Sequence, residues 1–129
     1  MADPFVPGHK YTRPNILRLL EIEPIPKGGN WFTGYHCHNG EFYLFVTVGA
    51  PGRTGHKYAN RWLSSGEFEW YGKGQNRLGQ PEAQSMIEAG RIVRLFTREA
   101  DREPFEYHGQ VTAANSFDEM PFRVHWRIT

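Results

Sequence analysis

The strongest constraint on the fold is the nearly unbroken apolar run Phe42-Tyr43-Leu44-Phe45-Val46-Thr47-Val48, preceded by Asn39-Gly40-Glu41. Successive strand residues point to opposite faces, so a strand apolar on both belongs in the centre of a sheet. Asn-Gly is the pair favoured by two-residue hairpin turns, where both residues need positive φ. Glu41–Val48 is therefore expected as the return arm of a hairpin. Its first arm is expected at Trp31–His36, delivered by the loop Pro26–Asn30.

Around this hairpin the remaining elements can be placed from local signals. Thr12 is suited to cap a helix that has Pro14 in its first turn and buries Ile16, Leu17, Leu19 and Leu20 before ending at Glu21–Pro24. A second helix is expected over Pro81–Ala89, closed by Gly90. The alternation of aromatics with Glu67 and Glu69 predicts a strand through Phe68–Tyr71. Further strands are expected at Arg91–Arg98, with Arg94 and Arg98 turned away from its apolar residues, at Phe105–Ala113 and at Pro121–Ile128. In the last, Phe122, Val124, Trp126 and Ile128 alternate with Arg123, His125 and Arg127. Six strands and two short helices define an α+β fold with a curled or closed, mostly antiparallel sheet. The 129 residues are enough for one domain, expected at 11–129 behind a flexible lead-in over residues 1–10.

The net charge of +1 advertises no general basic field, but the charge is unevenly distributed. Arg53–Arg77 holds five Lys/Arg against two acids, and Glu99–Glu119 holds six acids against one arginine. A basic and an acidic face are thus expected. Mean hydropathy is negative and no apolar run approaches the ~20 residues of a membrane span. With no basic-then-apolar leader, a cytoplasmic location is expected. The single Cys37 excludes an internal disulfide and a multi-thiolate zinc site.

His36 and His38 share a strand face, but no second ligand pair has suitable spacing, so no metal is expected. No nucleophile elbow and no phosphate loop are present, and no other cofactor motif stands out. The aromatic surplus is more informative. Trp31, Tyr35, Tyr43, Tyr58, Trp62, Trp70, Tyr71 and Trp126 are too many for all to be core, because tyrosine and tryptophan need partners for their polar tips. Arg53, Lys57, Lys73 and Arg77 lie on loops among them. Interleaved cations and aromatics suit nucleic acid, where phosphates are held and exposed bases stacked. A sugar-binding platform and a small hydrolase are the other classes open to such a chain.

The ordered series Tyr11-Thr12-Arg13, Gly34-Tyr35, Phe45-Val46-Thr47, Trp70-Tyr71-Gly72-Lys73-Gly74-Gln75-Asn76-Arg77-Leu78, Leu95-Phe96-Thr97-Arg98 and Tyr107-His108-Gly109 spans nearly the whole chain. It resembles a bacterial domain, originally of unknown function, at the C-terminal end of superfamily 2 helicase proteins of modification-dependent (type IV) restriction systems. The resemblance implies a PUA- or SRA-like barrel that binds duplex DNA carrying modified cytosine (5-methylcytosine or 5-hydroxymethylcytosine), by base flipping. It further implies a role in defence, no chemistry of its own, and a nuclease or helicase module as partner. A flipped base needs flat walls, for which Trp31, Tyr35, Trp70 and Tyr71 are candidates, and edge-reading amides, for which Gln75 and Asn76 are candidates. Backbone contacts fall to Arg13, Arg53, Lys57, Lys73 and Arg77. An RNA- or protein-interaction module on the same fold is the alternative. Trp70 and Tyr71 are consecutive, so one is expected in the core and the other facing a ligand.

Overall fold

The computed structural model describes residues 3–26, 28–48, 60–72, 76–100 and 102–129. The strands are β1 (Lys10–Tyr11), β2 (Tyr35–His38), β3 (Glu41–Thr47), β4 (Arg61–Trp62), β5 (Glu67–Tyr71), β6 (Val93–Arg98), β7 (Phe105–Phe117) and β8 (Arg123–Ile128). The helices are α1 (Arg13–Leu19) and α2 (Pro81–Ile87). The strands form one curled sheet in the order β2-β3-β6-β7-β8-β5-β4, with β1 added beside β7. All pairings are antiparallel except β3 with β6.

Local signals act where expected. Thr12 and Asn15 form a reciprocal capping box, each side-chain oxygen accepting from the other's backbone N–H at 3.2 Å. Asn39 and Gly40 take φ of 52° and 77°, the positive values that a tight hairpin turn requires. The first arm of that hairpin is shorter than expected. Asn30–Phe32 is a 3₁₀ turn and the strand begins only at Tyr35.

β3 is central and both of its faces are covered. Phe42, Leu44 and Val46 point to an inner face together with Val93 and Leu95 of β6. There they meet Phe68 and Trp70 of β5, Val124 and Trp126 of β8, and Ala83 and Met86 of α2. Strands from opposite ends of the sheet order thus share one core, which requires the sheet to curl around it. Tyr35 on β2 meets Trp70 on β5 edge-to-face at 5.4 Å, although the described residues of these strands are not hydrogen-bonded to each other. Tyr43 and Phe45 point to the outer face, where Phe96, Phe105 and Tyr107 pack beneath Ile16 and Leu17 of α1.

The outer core also takes in the segment expected as a flexible lead-in. Phe5 is 2% exposed and packs edge-on to Phe96 at 5.2 Å, and Lys10 pairs with Glu106. Asp3 reaches the hydroxyl of Tyr107 and bonds Arg94 Nε at 3.2 Å. Arg94 is turned away from Val93 and Leu95, as expected, and lies against Tyr43 on the outer face. It is 4% exposed and also donates to Glu41 and to the Tyr43 hydroxyl. Burial pushes the Tyr43 hydroxyl up to about 12. The correction concerns the lead-in, whose apolar and charged groups are drawn in because an uncovered sheet face offers them partners.

Gly72 follows β5 where Phe122 crosses. A Cβ there would stand 2.4 Å from a Phe122 ring carbon, and that ring is fully buried. Gly72→Ala should therefore lower stability by about 1–3 kcal/mol, the usual range for overpacking. The midpoint of urea unfolding measures this. An unchanged midpoint would mean that the ring can yield.

Candidate nucleic-acid interface

At the end of the inner face, past the carboxyl ends of β3 and β6, the curled sheet opens into a cavity of about 640 Å³. This lies within the ~300–1,000 Å³ typical of ligand pockets. Its wall follows from the strand registers. Thr97 continues the inner row of Val93 and Leu95, and its cross-strand partner Glu106 shares that face. Between Leu95↔Gly109 and Phe96↔Tyr107 the register shifts, leaving His108 as the extra residue of a bulge. Gly109 accommodates the bulge at φ 104°. His108 is thereby aimed at Thr97, with Nε2 2.6 Å from the Thr97 hydroxyl. Trp62 of β4 closes the other side, edge-on to His108 at 4.8 Å and to Phe68 at 4.9 Å.

The polar groups of this wall differ in charge state. Burial lowers the His108 pKa, and this outweighs Glu106, whose carboxylate 3.8 Å from Nδ1 raises it. Neutral His108 offers one donor and one acceptor. Lys10 and Arg98 stand at the cavity with Glu99, Glu103 and Glu106. The arrangement combines an aromatic wall, a neutral donor–acceptor pair and carboxylates. It can hold a flat polar ring and accept from an exocyclic amine.

The residues named from sequence are divided by the fold. Trp70 and Tyr35 are each 2% exposed and pack against one another, with Trp70 also touching Phe122 and Trp126. Burial, then Glu82, raises the Tyr35 hydroxyl far above its ordinary range. Trp31 is buried against His36 and Tyr43 on the outer side. The rings of these three are covered by protein. Tyr43 and Trp126 are core as well, so the surplus of aromatics was absorbed by two separate cores. Tyr71, whose N–H is held by Asn60 Oδ1 at 2.9 Å, is half-buried, dividing with Trp70 as consecutive strand residues must. Asn76 is half-buried and donates to Gln80 Oε1 at 2.8 Å. Arg77 is exposed and lies 3.8 Å from Asp118, so the basic stretch meets the acidic one there. Arg53, Lys57, Lys73, Gln75 and Tyr58 lie outside the described residues.

Arg13 sits at the start of α1 on the outer side of the same sheet end. Its guanidinium lies over the rings of Phe45 (4.8 Å), Phe105 (5.0 Å) and Phe32 (5.4 Å) and donates to the Trp31 carbonyl at 2.6 Å. Burial and then the neighbouring charge of Arg98 lower its pKa to about 10. The outer face of β5 and β8 carries a different network. There Glu69 accepts from Arg61, Arg123 and His125 at 2.9–3.0 Å. Burial would raise the Glu69 carboxyl, but the hydrogen bonds from His125, Arg123 and Arg61 hold it below the ordinary range. Among the described residues no group of three or more His, Cys, Asp or Glu could hold a metal ion. None of their helices is long and apolar enough to cross a membrane.

The cavity wall was missed by reasoning over residue types, which favoured the glycine-flanked loop after Trp70. Its residues are nonetheless in the sequence signal. Thr97-Arg98 and His108-Gly109 close the series that carries the family resemblance.

A curled, mostly antiparallel sheet with two short helices is the fold class of this chain, and it is SRA-like. The solved structure titled as the SUVH5 SRA domain in complex with hemi-methylated CG DNA superposes with a TM-score of 0.61 at 13% identity, covering 100% of this chain and 94% of that one. The chain itself belongs to the family described as Domain of unknown function (DUF3427), which it matches over residues 5–124. Comparison with curated proteins gave no significant match.

Proposed function

We propose that this domain reads modified cytosine in duplex DNA, with the base turned out of the helix into the inner-face cavity. The observation that carries the reading is the cavity itself: Trp62, Thr97, the bulged His108 and Glu106 converge at the open end of an SRA-like sheet. The similar SRA domain was solved on hemi-methylated CG DNA, which supports DNA as the ligand class. Cytosine presents an exocyclic amine beside ring acceptors, and a carboxylate next to a neutral imidazole N–H complements that edge. Trp62 provides a flat wall for the ring. Among the residues named from sequence, Tyr71, Asn76 and Arg77 flank the DNA on the β5 side. Arg13 and the cations Arg53, Lys57 and Lys73 hold its backbone. In this reading the domain supplies specificity and no chemistry. A nuclease or helicase module of a modification-dependent restriction system acts on the DNA it selects.

The test is a binding series on matched duplexes carrying cytosine, 5-methylcytosine or 5-hydroxymethylcytosine, with single strands and RNA alongside. Wild-type protein should prefer one modified duplex. Trp62→Ala should lose about 1–3 kcal/mol of that binding, the worth of one stacked base. The loss should be larger on the modified duplex than on the unmodified one. Equal affinity of the wild type for all three duplexes would end this reading, and a preference for RNA would move the domain to another class.

A further inference from the structure

We infer that Thr97 is a positioning residue whose hydroxyl donates to His108 Nε2, holds the imidazole proton on Nδ1, and so lets the cavity tell 5-methylcytosine from thymine. The discrimination rests on the function proposed above, whereas the placing of the proton does not.

Thr97 is 7% exposed, and its Oγ1 lies 2.6 Å from His108 Nε2. Among the described residues its hydroxyl has no other hydrogen-bond partner. On the opposite edge of the ring, Glu106 Oε2 stands 3.8 Å from Nδ1. A carboxylate can only accept, so it repels a lone pair on Nδ1 and attracts an N–H there. The proton therefore belongs on Nδ1, and the lone pair of Nε2 takes the Thr97 O–H. The other tautomer would make the hydroxyl an acceptor and leave its own proton without a described acceptor. Burial lowers the His108 pKa, which keeps the ring neutral, and Trp62 packs edge-on against it at 4.8 Å. The register shift that leaves His108 over in β7 is what brings the ring to Thr97.

At 3.8 Å the Nδ1–H and the Glu106 carboxylate are too far apart to satisfy each other. They stand side by side as a donor and an acceptor at the cavity wall. Cytosine offers the complement, a ring acceptor beside an exocyclic amine. Thymine reverses both: its carbonyl would face the carboxylate and its ring N–H would face Nδ1–H. Thymine carries the same 5-methyl group as 5-methylcytosine, so no apolar wall can separate the two. The placing of one proton can.

Two-bond ¹H–¹⁵N correlations on the full chain with ¹⁵N-labelled histidine report which ring nitrogen is protonated. In free wild-type protein His108 should show a protonated Nδ1 and a bare Nε2. Thr97→Val, which keeps the branched shape and removes the hydroxyl, should mix the tautomers, and Thr97→Ser should restore the wild-type pattern. Binding is then compared on duplexes with 5-methylcytosine or thymine opposite the same guanine. The mispaired thymine leaves the stack more readily, so a preference for 5-methylcytosine has to come from the base edge. Wild type and Thr97→Ser should show that preference, and Thr97→Val should narrow it about tenfold.

A proton on Nε2 in free wild-type protein overturns the inference, and this holds even if Thr97→Val fails to fold. An unchanged preference in a folded Thr97→Val protein overturns the role in discrimination. A protonated Nδ1 in a protein that binds cytosine, 5-methylcytosine and 5-hydroxymethylcytosine duplexes alike keeps the tautomer and removes the cytosine reading. Preference for modified over unmodified cytosine, but none over thymine, keeps that reading and overturns the role of Thr97.

Discussion

Trp70→Ala should destabilise the domain by about 3–5 kcal/mol, the range for truncating a large buried aromatic. Trp70 is enclosed by rings from three other segments: Tyr35 at 5.4 Å, Phe122 at 5.7 Å and Trp126 at 6.1 Å. These come from β2, from the segment preceding β8 and from β8 itself, so the indole joins the two ends of the curled sheet. Removing it leaves a void that none of these can fill without moving a strand. Since a domain of this size is stable by only about 5–15 kcal/mol, the loss is a large share of the whole. Chemical denaturation would measure it. Trp70→Phe separates structure from function: it should recover much of the stability and bind modified duplex like wild type. A well-folded Trp70→Phe protein with abolished binding would place the base against this residue and away from the cavity.

Arg94→Met is expected to cost about 3 kcal/mol, near the lower end for breaking a buried ion pair. Methionine replaces much of the apolar volume against Phe5 and Tyr43 but leaves Asp3 and Glu41 without their cation. Burial disfavours the charged guanidinium, yet Glu41, Tyr43 and Asp3 outweigh it and raise the Arg94 pKa. The cost stays at the lower end because both carboxylates retain contact with water. The segment around Phe5 should loosen first, since Asp3 is bonded to both Arg94 and Tyr107. A double-mutant cycle with Glu41→Gln measures the coupling. Additive losses would show that Arg94 stabilises by packing alone. Slower hydrogen exchange around Phe5 in the variant would contradict the fastening role outright.

The mutations of largest effect thus lie away from the proposed contacts with DNA. The fold devotes most of its aromatics to two cores on opposite faces of one sheet, leaving Trp62 and Tyr71 half-buried.

The sequence by itself determined those features whose causes act within a few residues. Thr12 and Asn15 cap α1 through bonds three positions apart, and Asn39-Gly40 turns the chain at one step. Alternation through Phe122–Ile128 assigns the faces of β8, and adjacency alone separates buried Trp70 from Tyr71. The apolar run of β3 likewise required a central position. The tertiary structure alone decided which strands became neighbours, among them the parallel pairing of β3 with β6. It also decided that Trp31 and Tyr35 are covered and that Asp3 and Phe5 fasten the N-terminal segment. The cavity belongs to this second group. Its wall brings together Trp62, Thr97 and His108 from three strands, and His108 faces it only because pairing with β6 leaves one residue of β7 over. Such an extra residue is a property of register between two strands, set when they pair, and no periodicity within β7 alone encodes it.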